Sequence, residues 1–423
     1  MWLKNAQIYD SRSRRFRRGD IEVAGERFAS LGGKAPAKAE AIDMDGAFLL
    51  PGFFDCHVHI CVPTDAPDPS RLWVNALPGE IAIYAARSAR RLLMCGITTA
   101  REVGGWDYHE IAVRESIAAG VIEGPRLYCA GRILTITSST TPYYRGMYEE
   151  ADGPEEVRKA ARKQLAQGAD LIKILATGAV TSTKYEKADA IQYRPEEIAA
   201  AVAIARDNLT HVAAHAHANE GIRNAVEAGC RSIEHGSFGE EATYRLMAER
   251  GTYLVPTLCT AAAMFRDPNF AGRVPPRFRQ RYEKVHATRV TNMKLARRCD
   301  VRMAMGTDAG TPGNHCGDNM QELEVMVEEA GFPPDEAIHA ATLGAADMMG
   351  LVGDLGSLEE GKIADVIATA TDPLKNIAAL RQVSLVMKGG RIHKQNGISL
   401  PLSETAHSAA VTIPQLVLAW TRP

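Results

Sequence analysis

Two patterns of hydrophobic and polar positions divide this chain into two ends and a middle. At the start, short segments of strand-like composition are separated by turn residues, at 2–9, 19–23 and 27–31. Similar segments with glycine turns return near the other end, at 361–368 and 383–392. Neither end has enough strands to bury a core alone, so we expect both ends to build one small β-sandwich.

Between the ends, helical patterns alternate with short apolar runs. The predicted helices cover residues 81–95, 154–167, 195–208, 220–228, 240–250 and 276–298. The predicted strands follow them at 98–103, 169–174, 212–215, 232–235, 253–256 and 302–308. Repeated βα units imply parallel strands, and a long series of them favours a TIM-like (β/α)8 barrel.

The length of 423 residues suits a large barrel with an accessory domain. The predicted fold class is therefore α/β, with the barrel over residues 52–355. The composite β-sandwich domain is predicted over residues 1–51 plus 356–423. An apolar segment at 409–420 is expected to pack on the sandwich or at a subunit contact.

Composition narrows the classes of partner. Hydrophobic residues make up 46% and charged residues 24%, which is ordinary for a soluble globular protein. The net charge of −2 offers phosphates no basic surface, so no nucleic acid partner is expected. No run reaches the roughly 18 apolar residues of a membrane helix, so no membrane partner is expected either.

The eight cysteines are scattered, without close pairs at zinc-finger spacing. They are expected to be reduced thiols in a cytoplasmic protein. A small-molecule substrate and a homo-oligomeric state are expected on general grounds.

His57 and His59 are the most informative pair, because they close the extended apolar run at 48–59. Residues i and i+2 of a strand point to the same face, so both imidazoles are able to bind one metal ion. Two nearby histidines alone are more often solvated or hydrogen-bonded than metal-bound. The pair gains weight only from further ligand-type residues in the chain.

Four such residues follow at predicted strands: Lys173, His215, His235 and Asp308. They fall at the carboxyl ends of the strands, where barrel enzymes place their chemistry. Histidine and carboxylate are the expected ligands of a hydrolytic Zn²⁺. Lys173 is unusual, since an ammonium has no lone pair to offer a cation. Addition of CO2 to the amine would give an anionic carbamate able to bridge two metals; the alternative is a buried, ion-paired lysine.

In this order the six residues resemble the ligand set of the amidohydrolase superfamily in its binuclear form. The resemblance implies that His57, His59 and Asp308 bind the more buried of two divalent metal ions. It implies that Lys173 is carboxylated and bridges both ions. Zn²⁺ is the default from the ligand types, although Mn²⁺, Co²⁺ or Fe²⁺ suit the same sites.

The resemblance also implies the remaining ligands and the mechanism. His215 and His235 are implied as ligands of the more exposed ion. Two metals lower the pKa of a bridging water, giving hydroxide near neutral pH, and one of them polarises the substrate carbonyl. Asp308 is the implied catalytic residue, which accepts the water proton and passes it to the leaving amine.

The residues around Lys173, His215 and His235 are most similar to the branch that contains Xaa-Pro dipeptidases, lysine/arginine carboxypeptidases and ochratoxin hydrolase. That branch cleaves an amide next to a terminal carboxylate, which implies a dipeptidase or an N-acyl amino acid hydrolase. His217 sits where the branch contacts the substrate carboxylate. The alternative for His217 is a packing histidine.

The chain departs from this branch at one position. The branch commonly has Gly-Gly-His after the third barrel strand, and Thr140 stands where that histidine would be. Threonine donates a hydrogen bond but carries no positive charge. Tyr143, Tyr144 or Arg145 could substitute by reaching inward. The departure leaves open a cyclic amide, a carbamate or a deaminase-type reaction on a non-peptide small molecule.

Weaker candidates lie in the loops. His315, shortly after Asp308, is a further candidate for substrate contact. Lys184 and Tyr185 lie in a loop long enough to overhang the site, with a solvated loop as the alternative. No functional role is assigned to His286.

Two other classes compete with the binuclear hydrolase. A mononuclear deaminase or cyclic-amide hydrolase would share the fold, but such enzymes do not use a bridging lysine. A non-catalytic scaffold is argued against by the retention of all six ligand residues.

Overall fold

A computed structural model of the chain describes residues 1–64, 66, 72, 75–77, 79–180, 187–266 and 276–401, without the side chains of 264–266, 276–278 and 281. The expectations for Lys184, Tyr185 and the apolar segment 409–420 lie outside the described residues. The same holds for residues 402–423 of the predicted sandwich domain.

Along the chain, a strand-rich part is followed by a part in which strands and helices alternate, and then by a second strand-rich part. The strands are β1 Trp2–Asp10, β2 Arg15–Ala24, β3 Arg27–Gly33, β4 Ala41–Asp43, β5 Phe48–Pro51, β6 Phe53–Val58, β7 Ile97–Glu102, β8 Arg126–Cys129, β9 Ile133–Thr135, β10 Tyr148–Glu150, β11 Ile172–Leu175, β12 Val212–Ala218, β13 Ser232–Phe238, β14 Tyr253–Val255, β15 Val366–Thr369, β16 Leu385–Lys388, β17 Arg391–Gln395 and β18 Ile398–Ser399. The α-helices are α1 Glu80–Met94, α2 His109–Ala118, α3 Gly153–Ala166, α4 Pro195–Asp207, α5 Asn219–Ala228, α6 Glu241–Arg250, α7 Cys259–Arg266, α8 Pro276–Arg298, α9 Gln321–Glu328, α10 Pro334–Ala341 and α11 Leu343–Met348.

The six helices predicted from the sequence are all present, with ends within one residue of the prediction. Their ends carry the expected local signals. Proline stands in the first turn of α3 and α4, where its missing N–H costs no helical hydrogen bond. Gly229 and Gly251 end α5 and α6 in the left-handed conformation that favours glycine.

Both chain ends join one nine-stranded sheet, in the order β18-β17-β16-β15-β5-β1-β2-β3, with β4 beside β1. Strand β5 pairs antiparallel with β15 in the register Leu50 to Ile367. Neighbouring side chains of β5 face opposite ways: Leu49 packs in the hydrophobic cluster of this sheet and Leu50 in the larger cluster formed by the middle of the chain. The ends therefore form one continuous ladder, and a second facing sheet is not found among the described residues.

The middle of the chain forms two parallel sheets. One has the order β10-β9-β11-β12-β13-β14 and the other β6-β7-β8. This confirms the parallel α/β order, but the described strands do not form one closed eight-stranded ladder. The domain limits at residues 51 and 356 stay a prediction.

The predicted strand 302–308 is not a regular strand, although it connects the two parallel sheets. Met303 forms one parallel bridge with Leu254 on β14. On the other side, Cys56 N–H donates to Met305 O at 2.8 Å, and Asp308 N–H donates to His57 O at 2.7 Å. Strand geometry ends here because Asp308 adopts a left-handed backbone, with φ of 59°.

Among the ligand-type residues, His57 and His59 lie at the carboxyl end of β6 and just beyond it, and Asp308 ends the irregular segment 302–308. The other three, Lys173, His215 and His235, lie within β11, β12 and β13. Within the described part of the chain, no helix combines the length and apolar character that crossing a membrane requires.

Candidate metal centre

Three ligand-type residues from two chain segments meet at the end of β6. His57, His59 and Asp308 offer ligand atoms that all lie within 4.8 Å of one another, and all three side chains are buried. The Nε2 atoms of both histidines lie 3.3 Å from the same carboxylate oxygen, Asp308 Oδ1. We call these residues the first cluster. It has the composition of a divalent cation site, with two imidazoles and one carboxylate.

Acceptor groups on the far side of each ring fix which nitrogen faces the first cluster. His57 Nδ1 lies 2.7 Å from Glu234 Oε2, and His59 Nδ1 lies 3.1 Å from Gly104 O. A carbonyl or an ionised carboxylate only accepts, so each Nδ1 carries the proton. The Nε2 lone pairs are therefore directed at the cluster, as a metal requires.

A fully buried arginine holds Glu234 in place. Arg101 on β7 donates through Nη2 to Glu234 Oε1 at 2.7 Å and through Nη1 to Ser232 Oγ at 3.0 Å. Its Nε donates to Cys56 O at 2.7 Å. Burial alone would raise the pKa of Glu234, but Arg101 and Lys173 hold it below its usual range. The carboxylate stays ionised and supports the His57 tautomer.

A second group of ligand-type residues lies on β12 and β13. His215, His217 and His235 offer ring nitrogens within 4.8 Å of one another, and all three are buried. We call these residues the second cluster. The rings of His57 and His235 lie 5.0 Å apart between centroids, so the two clusters adjoin. The second cluster contains no carboxylate.

Neutral groups hold the second cluster. His215 Nε2 lies 3.3 Å from Gly178 O, so Nδ1 of this ring faces the cluster. The Nδ1 atoms of His217 and His235 each lie 2.7 Å from a hydroxyl, that of Ser237 and that of Thr257. Their tautomers depend on the hydroxyl orientation, because a hydroxyl both donates and accepts.

Unusual backbone geometry places two of these side chains. His235 and Asp308 both have left-handed backbones, with φ of 71° and 59°. Such values are rare outside glycine and are retained where surrounding structure enforces them. Close packing supplies that enforcement near Asp308: a Cβ on Gly306 would lie 2.3 Å from a Val255 methyl, and one on Gly310 would lie 2.3 Å from His59 O.

Lys173, in the middle of β11, is the most unusual member of the site. Its side chain is 1% exposed, and its Nζ has no hydrogen-bond partner among the described residues. Burial lowers its pKa to about 8, because the charged form loses its hydration. Lys173 forms no ion pair among the described residues, because the nearby Glu234 carboxylate is engaged by Arg101 and His57. This argues against the alternative of a buried, ion-paired lysine.

The protonation states of the remaining groups suit cation binding. Burial and the Lys173 ammonium lower the pKa of His215 to about 3, so its ring is neutral. Burial also lowers the pKa of His59 and His235. Burial would raise the pKa of Asp308, but His57 and His59 hold it well below its usual range. Neutral imidazoles and an ionised carboxylate are the forms that ligate metals.

Both clusters open into one cavity of about 150 Å³. Its wall includes Lys173, His217 and Asp308 as well as the other ligand-type histidines. Most of the remaining described wall is apolar or aromatic: Val62, Ile133, Tyr144, Met147, Tyr148, Leu175, Val180, Tyr282 and Val285. A site of this kind holds a small ligand with an apolar body and a few fixed polar contacts.

The predicted substrate-binding residues divide into two groups. His217 and Tyr144 line the cavity, and the Tyr144 ring stacks on Tyr148 at 5.1 Å. Thr140, Arg145 and His315 are not in the described wall. Thr140 is buried elsewhere and Arg145 is exposed beside a different depression.

His315 contacts a residue outside the described cavity wall. Its Nδ1 lies 2.8 Å from Thr64 Oγ1. Loop spacing alone did not reveal these positions.

Helix α8 contributes wall residues that the sequence analysis missed, including a histidine and an arginine. His286, which was given no role, lines the cavity and pairs through Nε2 with Glu329 at 2.7 Å. Arg289, one turn further along, also lines the cavity. A signal existed, because Val285, Arg289 and Met293 follow at helical spacing on the buried face. An arginine within such an apolar stripe indicates a buried charge that requires specific partners.

Comparison with known proteins gives one family for this chain. Residues 48–393 match the model of the Amidohydrolase family. Ochratoxinase from Aspergillus niger is 33% identical over 389 residues, which cover 85% of this chain and 78% of that protein.

Solved structures of a dipeptidase and a prolidase superpose on nearly the whole chain. A Xaa-Pro dipeptidase with methionine bound in its active site superposes with a TM-score of 0.83 and 31% identity, covering 93% of this chain and 99% of that one. A prolidase complexed with N-methylphosphonate-L-proline superposes with a TM-score of 0.83 and 28% identity, covering 93% of this chain and 99% of that one.

Proposed function

Because the chain belongs to the amidohydrolase family and is a hydrolase acting on C–N bonds, we propose that it is a metal-dependent dipeptidase or N-acyl amino acid hydrolase. It cleaves the peptide-like amide bond of a small molecule that carries a terminal carboxylate. One observation carries the proposal: two ligand clusters adjoin in a single cavity whose wall also holds the unpartnered Lys173.

The relatives support this reaction class. One is named an ochratoxinase, one is a Xaa-Pro dipeptidase with methionine bound, and one is a prolidase complexed with N-methylphosphonate-L-proline. The small cavity with its apolar walls suits the body of an amino acid derivative.

Two divalent cations, which we propose to be Zn²⁺, fit the residues present. His57, His59 and Asp308 would hold one cation; His215 and His235 would hold the other. When bound, the pair of cations supplies Lewis acidity that lowers the pKa of a shared water and polarises the substrate carbonyl.

Charge supports the carboxylation of Lys173. The second cluster has three histidines and no carboxylate, so an added anion would strengthen the binding of a divalent cation there. A neutral lysine amine reacts with CO2 to give a carbamate and one released proton. Burial favours the neutral amine, since it lowers the Lys173 pKa to about 8.

Asp308 has a role beyond holding a cation. Its Oδ1 faces both histidines of the first cluster, which leaves Oδ2 to accept a proton from water. The same oxygen then returns the proton to the leaving amine. The apolar walls exclude bulk water, so the Asp308 carboxylate exchanges protons with the reacting groups.

The finer points of architecture and setting belong to the same proposal. The two parallel sheets close as a (β/α)8 barrel through segment 302–309, and the nine-stranded sheet packs as a sandwich-like accessory domain. The protein is cytoplasmic, because all eight cysteines are free thiols. It assembles as a homo-oligomer and takes no nucleic acid or membrane partner.

The test counts metals and measures turnover on one preparation. Metal per chain is measured together with hydrolysis of Xaa-Pro, Xaa-Arg and N-acyl amino acid substrates. We expect near two metals in the wild type with turnover, and near one in Lys173→Met, which keeps an unbranched side chain of similar shape without the amine. The matched control, Lys159→Met, changes an exposed lysine of α3 and is expected to keep both metals.

Other outcomes are decisive as well. Two metals without turnover on any of these substrates would reject the carboxylate-terminated amides and favour a neutral cyclic amide or carbamate. One metal in the saturated wild type would reject the bridging Lys173 and favour a mononuclear deaminase-type reaction.

A further inference from the structure

Arg289 on α8 is a buried cation without an anionic partner. Its side chain is 5% exposed, and it lines the cavity that contains both clusters. Burial lowers its pKa, but an arginine side chain remains charged in proteins. No carboxylate forms an ion pair with it among the residues that the structure describes.

The contacts of Arg289 leave part of its guanidinium unused. Nε donates to Ser237 Oγ at 3.0 Å, and Nη1 donates to Thr257 O at 2.8 Å. These groups are neutral, so they orient the side chain without offsetting its charge. Within the described part of the chain, Nη2 has no hydrogen-bond partner.

Ser237 and Thr257 also fix the distance from Arg289 to the second cluster. Ser237 Oγ lies 2.7 Å from His217 Nδ1, and Thr257 Oγ1 lies 2.7 Å from His235 Nδ1. Each hydroxyl therefore contacts both a histidine and the guanidinium, since Thr257 Oγ1 also accepts from Arg289 Nη1 at 3.3 Å. A single hydroxyl group therefore separates the Arg289 guanidinium from each of these two histidines of the second cluster.

A buried, unpaired charge is strongly unfavourable unless a ligand or partner neutralises it. Within the described cavity wall, Asp308 is the carboxylate, and it faces His57 and His59. With Lys173 carboxylated, as proposed above, the guanidinium of Arg289 is a positive side-chain charge in this wall that no described carboxylate pairs with. A small ligand with one anionic group and an apolar body would complement this wall.

We propose that Arg289 is the specificity-determining residue that binds the free carboxylate of the substrate, an N-acyl amino acid or dipeptide with an apolar rather than a cationic leaving amino acid. This deepens and rests on the proposed amide hydrolysis. Guanidinium and carboxylate form charge-assisted, often two-pronged hydrogen bonds, for which an arginine held by its Nε is well placed.

The experiment compares two substrates of equal size on the metal-loaded enzyme. N-acetyl-L-phenylalanine has a free carboxylate, and its amide, N-acetyl-L-phenylalaninamide, does not. We expect the wild type to prefer the acid by on the order of 100-fold in kcat/KM. Arg289→Gln is expected to remove that preference mainly by raising KM for the acid, with the amide changed little.

Two further variants control for folding and charge. Arg289→Lys keeps the charge but loses the planar fork, so we expect an intermediate preference for the acid. Arg245→Gln, at an exposed arginine of α6, is expected to match the wild type. Equal losses on acid and amide in both Arg289 variants would show a merely structural arginine and overturn the proposal.

A binding measurement separates this inference from the reaction. Calorimetry with L-phenylalanine and L-phenylalaninamide on the same holoenzymes reports carboxylate binding without turnover. If the wild type binds L-phenylalanine in preference to L-phenylalaninamide and Arg289→Gln abolishes that preference, Arg289 binds the carboxylate, even if neither N-acetyl compound is hydrolysed. Equal binding of the two compounds by the wild type would reject carboxylate binding by Arg289, whether or not amides are cleaved.

Discussion

The two clusters of the site differ in how their charge is arranged. The first, with His57, His59 and Asp308, contains a carboxylate and rests on the ionised Glu234. The second has three histidines, held by hydroxyls and a carbonyl, and no carboxylate. Arg289 adds a positive charge beside it. The first cluster therefore offsets part of a cation's charge with its own carboxylate, whereas the second has no carboxylate to do so.

This difference explains the position of Lys173. It is near enough to influence the pKa of His59 in the first cluster and of His215 in the second. As an ammonium it opposes cation binding in both clusters; as a carbamate it favours binding in both. Residues that change the charge balance of one cluster should therefore have unequal effects on the two.

The largest effect is expected for Asp308→Asn. The substitution removes the carboxylate of the first cluster and the proton acceptor together. We expect kcat to fall by on the order of 10³-fold and the first-cluster metal to be lost in a metal count. The exposed Asp318→Asn is the matched control. Retained kcat in Asp308→Asn would show that another group transfers the proton.

The next effect is expected for Glu234→Gln, which keeps the shape but removes the charge beneath His57. Metal affinity of the first cluster should fall by about 10- to 100-fold, because the His57 tautomer is no longer fixed by a carboxylate. A chelator competition titration measures this change, with Glu227→Gln on the surface of α5 as control. Equal weakening of both metals would mean that Arg101 and Glu234 support both clusters and not the first cluster alone.

A smaller effect, confined to the second cluster, is expected for Thr257→Val. Valine keeps the branched shape that the left-handed backbone of Thr257 already accommodates. It removes the hydroxyl that contacts both His235 and Arg289. We expect about a tenfold loss of affinity for the second metal and none for the first. Thr291→Val on α8 serves as control, and a loss at the first cluster would contradict the comparison.

The smallest effect is expected for His315→Ala. The residue is outside the described cavity wall and contacts Thr64. A change of about twofold or less in kcat/KM is expected, which is typical of positions away from packed or reacting groups. A large rise in KM would instead show that the loop after Asp308 reaches the substrate, as the sequence suggested.

Much of this arrangement could be predicted from the sequence. Six of the eleven described α-helices were placed to within a residue because their apolar spacing and end signals agree. Ligand-type residues at the ends of predicted parallel strands were expected to meet, since those ends share one edge. The structure brings His57, His59 and Asp308 together, and His215 with His235.

Other parts depend on contacts that strand patterns do not determine. Strand-like segments at both ends predicted β-structure, but not their pairing into one sheet through β5 and β15. The left-handed turn at Asp308, which interrupts the predicted strand 302–308, has no signal in apolar spacing.

Some features of the charged residues that the sequence analysis missed could have been predicted. Arg101 and Glu234 each lie within a predicted parallel strand that is buried in the structure, where a buried charge requires a partner of opposite sign. The sequence does not say which partner each one takes. Loop residues such as Thr140 and Arg145 remained beyond prediction, because loop length does not fix the direction of a side chain.

The most direct test of the account is a metal count on CO2-depleted protein before and after addition of ¹³C-bicarbonate. We predict near one metal per chain before the addition and near two after it, together with a carbamate ¹³C resonance that Lys173→Met lacks. Two metals bound before and after bicarbonate, without that resonance, would contradict the central claim that a carboxylated Lys173 supplies the charge that the second cluster lacks.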